Sequence, residues 1–146
     1  MGAFEILPTE GVGQVRFGQK PGEVQAIMSE PQVYENWMGG DLNDSLLYQG
    51  LILGFDRCDS RGPLRDSRFV EARMTARVGA SLFGKQVVEW TRDELVALLR
   101  SRGHALSEVK NEVSVEAVGL SVSFDEAGRV DYIELWEPTL SQRSSV

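Results

Sequence analysis

The segment Gly50-Leu51-Ile52-Leu53-Gly54-Phe55-Asp56 returns as Gly119-Leu120-Ser121-Val122-Ser123-Phe124-Asp125, with Gly, Leu, Phe and Asp at matching offsets. A second echo, Arg16-Phe17-Gly18 against Leu82-Phe83-Gly84, stands ahead of each copy at a similar distance. Self-similarity of this kind constrains a chain to one small unit used twice. The units span about residues 12–78 and 79–138 within one compact domain covering 1–146, and 139–146 read as a flexible tail without apolar periodicity. At 146 residues with 42% hydrophobic content, the two units can bury a substantial shared core.

Local patterns predict a short helix followed by strands in each unit. Thr91-Arg92-Asp93-Glu94 has the spacing of a capping box. Leu95, Leu98 and Leu99 then recur at helical intervals, and Gly103 provides a stop behind Arg100 and Arg102. The first unit has a weaker counterpart, with Pro21 at an opening turn, Val24, Ile27 and Met28 as an apolar stripe, and Pro31 as terminator. Period-two alternation in Val113 to Ala117 and in Leu120 to Phe124, a turn at Asp125 to Gly128 and a run from Val130 to Trp136 predict a three-stranded antiparallel meander. The repeat offset places its counterpart at Leu46 to Gln49, Leu51 to Phe55 and Phe69 to Thr75. The expected fold class is α+β: two pseudo-repeats, each a short helix packed on a meander, forming one joined sheet.

In this scheme Leu120, Val122, Phe124, Ile133 and Leu135 face the helices, and Ser121, Ser123, Tyr132, Glu134 and Trp136 face outward. The matching outward set in the first unit is Ile52, Gly54, Phe69, Glu71 and Arg73. Phe55 and Phe124 are expected to pack inward at their strand ends, while Asp56 and Asp125 accept from turn amides. The insert after Asp56, with Cys58, Arg61, Gly62, Pro63, Arg65 and Arg68, is expected to be a surface loop. Between Asp56 and Arg77 six arginines face four acids, against an acidic remainder.

A formal charge of -7 argues against nucleic acid as a partner, because phosphate contacts need a concentrated basic face. It favours a basic partner instead. One cysteine, Cys58, cannot form an intramolecular disulfide. The amino terminus has no basic segment followed by an apolar run, and the longest apolar runs are too short to span a bilayer, so a cytoplasmic protein without membrane contact is expected.

No motif specifies a reaction. His104, the single histidine, has no cysteines or carboxylates at metal-ligand spacing. Asp41-Leu42-Asn43-Asp44 lacks the further ligands of a calcium loop. Gly11-Val12-Gly13 is followed by Gln14 and Val15 instead of a helix-opening glycine, and reads as a turn. Neither a nucleophile elbow nor a nucleophile beside a local base occurs. The expectation is therefore no catalytic residues, no metal and no cofactor.

Two copies of a helical segment plus a meander, each entered through Phe-Gly and containing Gly-Leu-x-x-x-Phe-Asp, resemble the tandem-repeat fold of the β-lactamase inhibitor protein and related BamE-like units over about Val15 to Trp136. The resemblance implies a protein-binding scaffold whose sheet holds a partner on the side away from the helices. Small acidic two-unit proteins of this kind also look like immunity proteins that neutralise a bacterial toxin. The function expected on this basis is a cytoplasmic immunity protein that binds a toxin enzyme with a basic surface stoichiometrically and blocks its active site. Its candidate contacts are Tyr34, Glu35, Trp37, Asp41 and Asp44 on the glycine-rich bend, with Tyr132, Glu134 and Trp136 on the sheet. Trp37 and Trp136 would anchor, and the carboxylates would meet basic groups. The alternative is a small-molecule-binding or sensory module with a pocket between helices and sheet lined by Trp90, Phe83 and Phe124.

Overall fold

The computed structural model describes residues 4–28, 45–48, 50–76 and 79–138. The described chain is mixed α+β and mostly sheet. In chain order it runs β1 (Phe4–Leu7), β2 (Gly11–Val12), β3 (Val15–Arg16), α1 (Pro21–Met28), β4 (Ser45–Tyr48), β5 (Leu51–Phe55), β6 (Cys58–Asp59), β7 (Gly62–Pro63) and β8 (Phe69–Thr75). It continues with β9 (Ala80–Leu82), β10 (Lys85–Gln86), α2 (Arg92–Ser101), β11 (Ser107–Val109), β12 (Glu112–Val115), β13 (Leu120–Phe124) and β14 (Val130–Trp136).

Seven strands form the principal sheet, in the order β11-β12-β13-β14-β8-β5-β4. Both expected meanders lie in it, and their third strands, β14 and β8, pair antiparallel at the junction. The inward residues line up across the whole width. One row runs Val113, Val122, Ile133, Met74 and Leu51. The next runs Val115, Leu120, Leu135, Ala72, Leu53 and Leu46. All of these are buried. Each large side chain removed from water contributes roughly 1.5–3 kcal/mol, so the rows hold the two meanders in register.

The inward face packs against α1, α2 and a second sheet. Helix α2 starts as its sequence requires: Thr91 Oγ1 accepts from the Glu94 amide at 3.3 Å, and Glu94 Oε1 accepts from the Thr91 amide at 3.2 Å. Leu95 and Leu99 are its buried residues. Gly103, at φ 83°, takes the left-handed conformation past its end. In α1, Glu23 Oε1 accepts from the Lys20 amide at 2.9 Å, and Val24 is buried. Ile6, Val12, Val15, Leu82, Val87 and Trp90 join these residues in one hydrophobic cluster.

Three expectations are corrected. The strands belong to three sheets instead of one: besides the principal sheet there is a five-stranded sheet, β10-β9-β1-β2-β3, and the small pair β6-β7. Gly11–Val12 is a strand of the five-stranded sheet, with only Gly13 and Gln14 turning. Phe69 faces the core and not the solvent, because the β5–β8 register shifts between Gly54 and Phe55 and sets Phe69 opposite Phe55. There it packs 6.0 Å from the Phe55 ring and stacks on Phe17 at 5.0 Å.

The two Phe-Gly echoes also occupy unlike places. Phe83 and Gly84 form the β9–β10 turn with φ 53° and 81°, whereas Phe17 and Gly18 follow β3, and the Gly18 amide donates to the Phe69 carbonyl at 2.9 Å. The residues after Asp56 carry the hairpin β6–β7, whose strand β6 is exposed and β7 half-buried, with Cys58 exposed as expected of a surface loop.

Candidate protein-binding surface

The outward face of the principal sheet follows directly from the period-two pleat. Tyr132, Glu134 and Trp136 project from β14, and their cross-strand neighbours on β8 are Thr75, Arg73 and Glu71 in that order. On the other side, Ser123 and Ser121 of β13 stand beside Tyr132 and Glu134. One strand further, Glu112 and Ser114 of β12 stand beside Ser123 and Ser121. Tyr132, Glu134, Trp136, Glu71 and Arg73 are all half-buried. The strand at the sheet's middle thus bears the bulky groups, and β13 next to it bears only small hydroxyls.

Glycines shape this face at two points. A Cβ on Gly54 would lie 2.7 Å from Glu71 Cγ, so the bare backbone lets Glu71 fold over it. Gly119, at φ 67°, has the Trp136 carbonyl oxygen 2.0 Å from where a Cβ would stand, and its own carbonyl accepts from the Trp136 amide at 2.9 Å. Trp136 therefore rests at a position that only glycine leaves open.

Charges on the face are poorly balanced. Arg73 Nη2 lies 3.7 Å from Glu71 Oε1. Glu134 has no ion-pair contact among the described residues and feels Arg73 only through its field. Burial raises the Glu134 pKa, the Arg73 charge opposes that rise, and Glu71 and Glu112 add to it. Burial likewise raises Tyr132, against the nearby Arg73 and with the fields of Glu134 and Glu71. Two donors, Arg73 Nε and Trp136 Nε1, are buried without a hydrogen-bond partner among the described residues. Ser114 Oγ and Ser121 Oγ are paired at 3.3 Å.

Three sequence-derived candidates, Tyr132, Glu134 and Trp136, are thus brought together on one strand face. Tyr34, Glu35, Trp37, Asp41 and Asp44 lie outside the described residues. The strand pattern puts Arg73 and Glu71 on the outward face, but neither they nor Glu112 belong to the contacts expected from sequence. Only the pairing of β14 with β8, and of β13 with β12, puts these charges around Glu134.

The residues nominated for a small-molecule pocket are engaged in packing. Trp90 Nε1 donates to the Leu82 carbonyl at 2.9 Å, with Lys85 Nζ 4.7 Å from its ring. Phe124 is buried, and the Phe83 ring is covered by the Arg102 guanidinium at 4.6 Å. Among the described residues no helix is long and apolar enough to cross a membrane. The chain has no match among protein-family models, curated proteins or solved structures.

Proposed function

We propose that this chain is an immunity protein: a cytoplasmic, noncatalytic inhibitor that binds a bacterial toxin enzyme stoichiometrically and covers its active site. The observation that carries the reading is the outward face of β14 and β8. It gathers an aromatic pair, an arginine and an excess of carboxylates into a half-buried patch on a rigid sheet. Aromatic side chains bury area at low entropic cost, and unbalanced carboxylates select a basic counterpart and speed its approach. A net charge of -7 extends that attraction beyond the patch.

The scaffold belongs to the same proposal: two copies of one unit joined through their third strands. Supporting it, the amide of Asp56 donates to Arg68 O and Asp56 Oδ1 accepts from the Arg68 amide, while Asp125 and Arg129 exchange the same two bonds. The Gly50 and Gly119 carbonyls accept from Thr75 and Trp136 at the opposite ends of the meanders. Each meander also has its register shift before the repeated Phe. A duplicated unit of this kind yields a sheet broad enough to cover an enzyme cleft.

Purification from the native host tests the proposal. An enzyme should copurify at one-to-one stoichiometry, and its activity should fall to zero at one equivalent of this chain. Recovery of the chain alone, or of an enzyme that stays active when saturated, overturns it.

A further inference from the structure

We infer that the insert between β5 and β8 is a second contact element, whose Arg61 and Arg65 take two carboxylates from an acidic segment of the partner protein. The inference rests on the protein-binding reading above and adds an element of opposite charge to it.

Two connections in the principal sheet close alike, and one is much longer than closure needs. At the β13–β14 turn the Arg129 amide donates to Asp125 Oδ1 at 3.0 Å and the Asp125 amide donates to the Arg129 carbonyl at 2.9 Å. Between β5 and β8, Arg68 and Asp56 make the same two bonds at 2.8 and 3.0 Å. Their separation along the chain is 12 against 4, eight residues more than the shorter connection uses. The extra residues are nonetheless ordered. Arg57 Nη2 donates to the Asp66 carbonyl and pairs with Asp66 Oδ1, both at 2.9 Å. The Leu64 amide donates to the Arg57 carbonyl at 3.1 Å, and Ser67, which is buried, donates from Oγ to the Leu64 carbonyl at 2.6 Å. Ordering a loop costs conformational entropy that closing the sheet does not require, which marks the insert as a surface kept for contact.

Its arginines divide into two kinds. Arg57 and Arg68 engage acids of the same chain, Arg57 with Asp66 and Arg68 with Asp56 and Glu137. Arg61 and Arg65 are exposed and have no ion pair among the described residues. Arg61 lies at the tip of the β6–β7 hairpin, where its amide donates to Asp59 Oδ1 at 2.8 Å. Arg65 lies in the turn that the Ser67 amide closes on the Leu64 carbonyl at 2.9 Å. At about 3.3 Å per residue their backbones stand at most about 13 Å apart, which suits two acceptors along one segment. Carboxylates fit better than a phosphate backbone. Asp59 and Asp66 interrupt the cations, and the chain carries a charge of -7, so the insert lacks the concentrated basic face that a run of phosphates needs. A planar guanidinium instead takes a single carboxylate through two parallel bonds.

The test is an NMR titration of the isotopically labelled protein with the capped peptide acetyl-Gly-Glu-Gly-Gly-Gly-Glu-Gly-amide, beside its glutamine analogue and a short oligothymidylate. Saturable shifts are expected at the Ser60, Arg61, Arg65 and Asp66 amides. The glutamine peptide and the R61Q/R65Q variant should each weaken binding at least threefold. A second variant, with residues 57–67 replaced by Glu-Ala-Gly as in the β13–β14 turn, should still unfold cooperatively and show no binding. Shifts that are absent, equal for both peptides or matched by the oligothymidylate overturn the inference, and so does a shortened variant that cannot fold, because the insert would then serve closure. Its failure is distinct from failure of the immunity reading: a captured toxin inhibited by R61Q/R65Q at unchanged affinity removes the insert contact alone, whereas peptide binding at these residues without any enzyme partner removes the immunity function alone.

Discussion

Arg73 and Glu134 stand directly opposite each other at the β8–β14 junction, yet the guanidinium bridges Glu71 and leaves Glu134 without an ion pair among the described residues. Burial, the largest influence on Glu134, raises its pKa. An acid with a higher pKa folded than unfolded holds its proton more tightly when folded. Its ionised form therefore costs stability above the folded pKa, and that cost is relieved progressively as pH falls from the folded pKa to the lower unfolded one. Glu134→Gln is expected to raise the melting temperature by roughly 1–3 °C near pH 8, with the gain vanishing once the wild-type carboxyl is protonated. Thermal unfolding across a pH series checks this. A lowered melting temperature near pH 8 would mean that Glu134 stabilises the free protein.

Trp136 tests the same separation of stability from binding without a titrating group. Its indole N–H is buried without an acceptor among the described residues, a deficit of about 1–3 kcal/mol. Trp136→Phe removes the orphaned donor along with some apolar area. These effects oppose each other, so unfolding free energy should change by less than about 1 kcal/mol. Partner affinity should fall about tenfold or more, as for a central aromatic anchor. Chemical denaturation and titration calorimetry read the two quantities independently.

The glycine beneath this tryptophan should be far less tolerant. Gly119→Ala places a Cβ on the Trp136 carbonyl and forces a left-handed alanine, whereas Gly128, at φ 79°, has open space around its Cβ position. Gly128→Ala should cost only the left-handed penalty of about 1–2 kcal/mol. Gly119→Ala should exceed it by at least about 1 kcal/mol, because backbone must move. Equal losses in urea unfolding would show that the close approach to Trp136 is relaxed at little cost.

What the sequence reveals divides along the range of the forces involved. The capping box at Thr91 and Glu94 and the alternation in Leu120 to Phe124 are local, and helix α2 and strand β13 stand where those patterns put them. Phe69 illustrates the limit: period two along β8 sends it outward, but the shifted register against β5 turns it into an aromatic stack with Phe17. Strand β1 is short and is held by parallel pairing to the distant β9, for which no local signal exists. The site divides similarly. Tyr132, Glu134 and Trp136 share a face by pleat alone, while the charges around Glu134 come from strands whose neighbours are chosen by the packed core.

The repeated aspartates allow a quantitative comparison of the two meanders. Asp125 Oδ1 accepts from the amides of Ala127 and Arg129, at 2.9 and 3.0 Å. Asp56 Oδ1 accepts from the Arg68 amide at 2.8 Å, and its Oδ2 lies 3.7 Å from Arg68 Nε in a solvent-exposed pair. An exposed ion pair at that distance adds little, so the count of amide bonds should set the order. Asp125→Ala is expected to cost about 1–2 kcal/mol and Asp56→Ala about half as much. Asparagine at either position keeps an acceptor oxygen and should recover most of the loss. Urea unfolding of the four variants gives the comparison. A larger loss at Asp56 would assign the greater weight to its contact with the Arg68 side chain, and a failure of asparagine to rescue would mean that carboxylate charge, more than acceptor geometry, holds these strand ends.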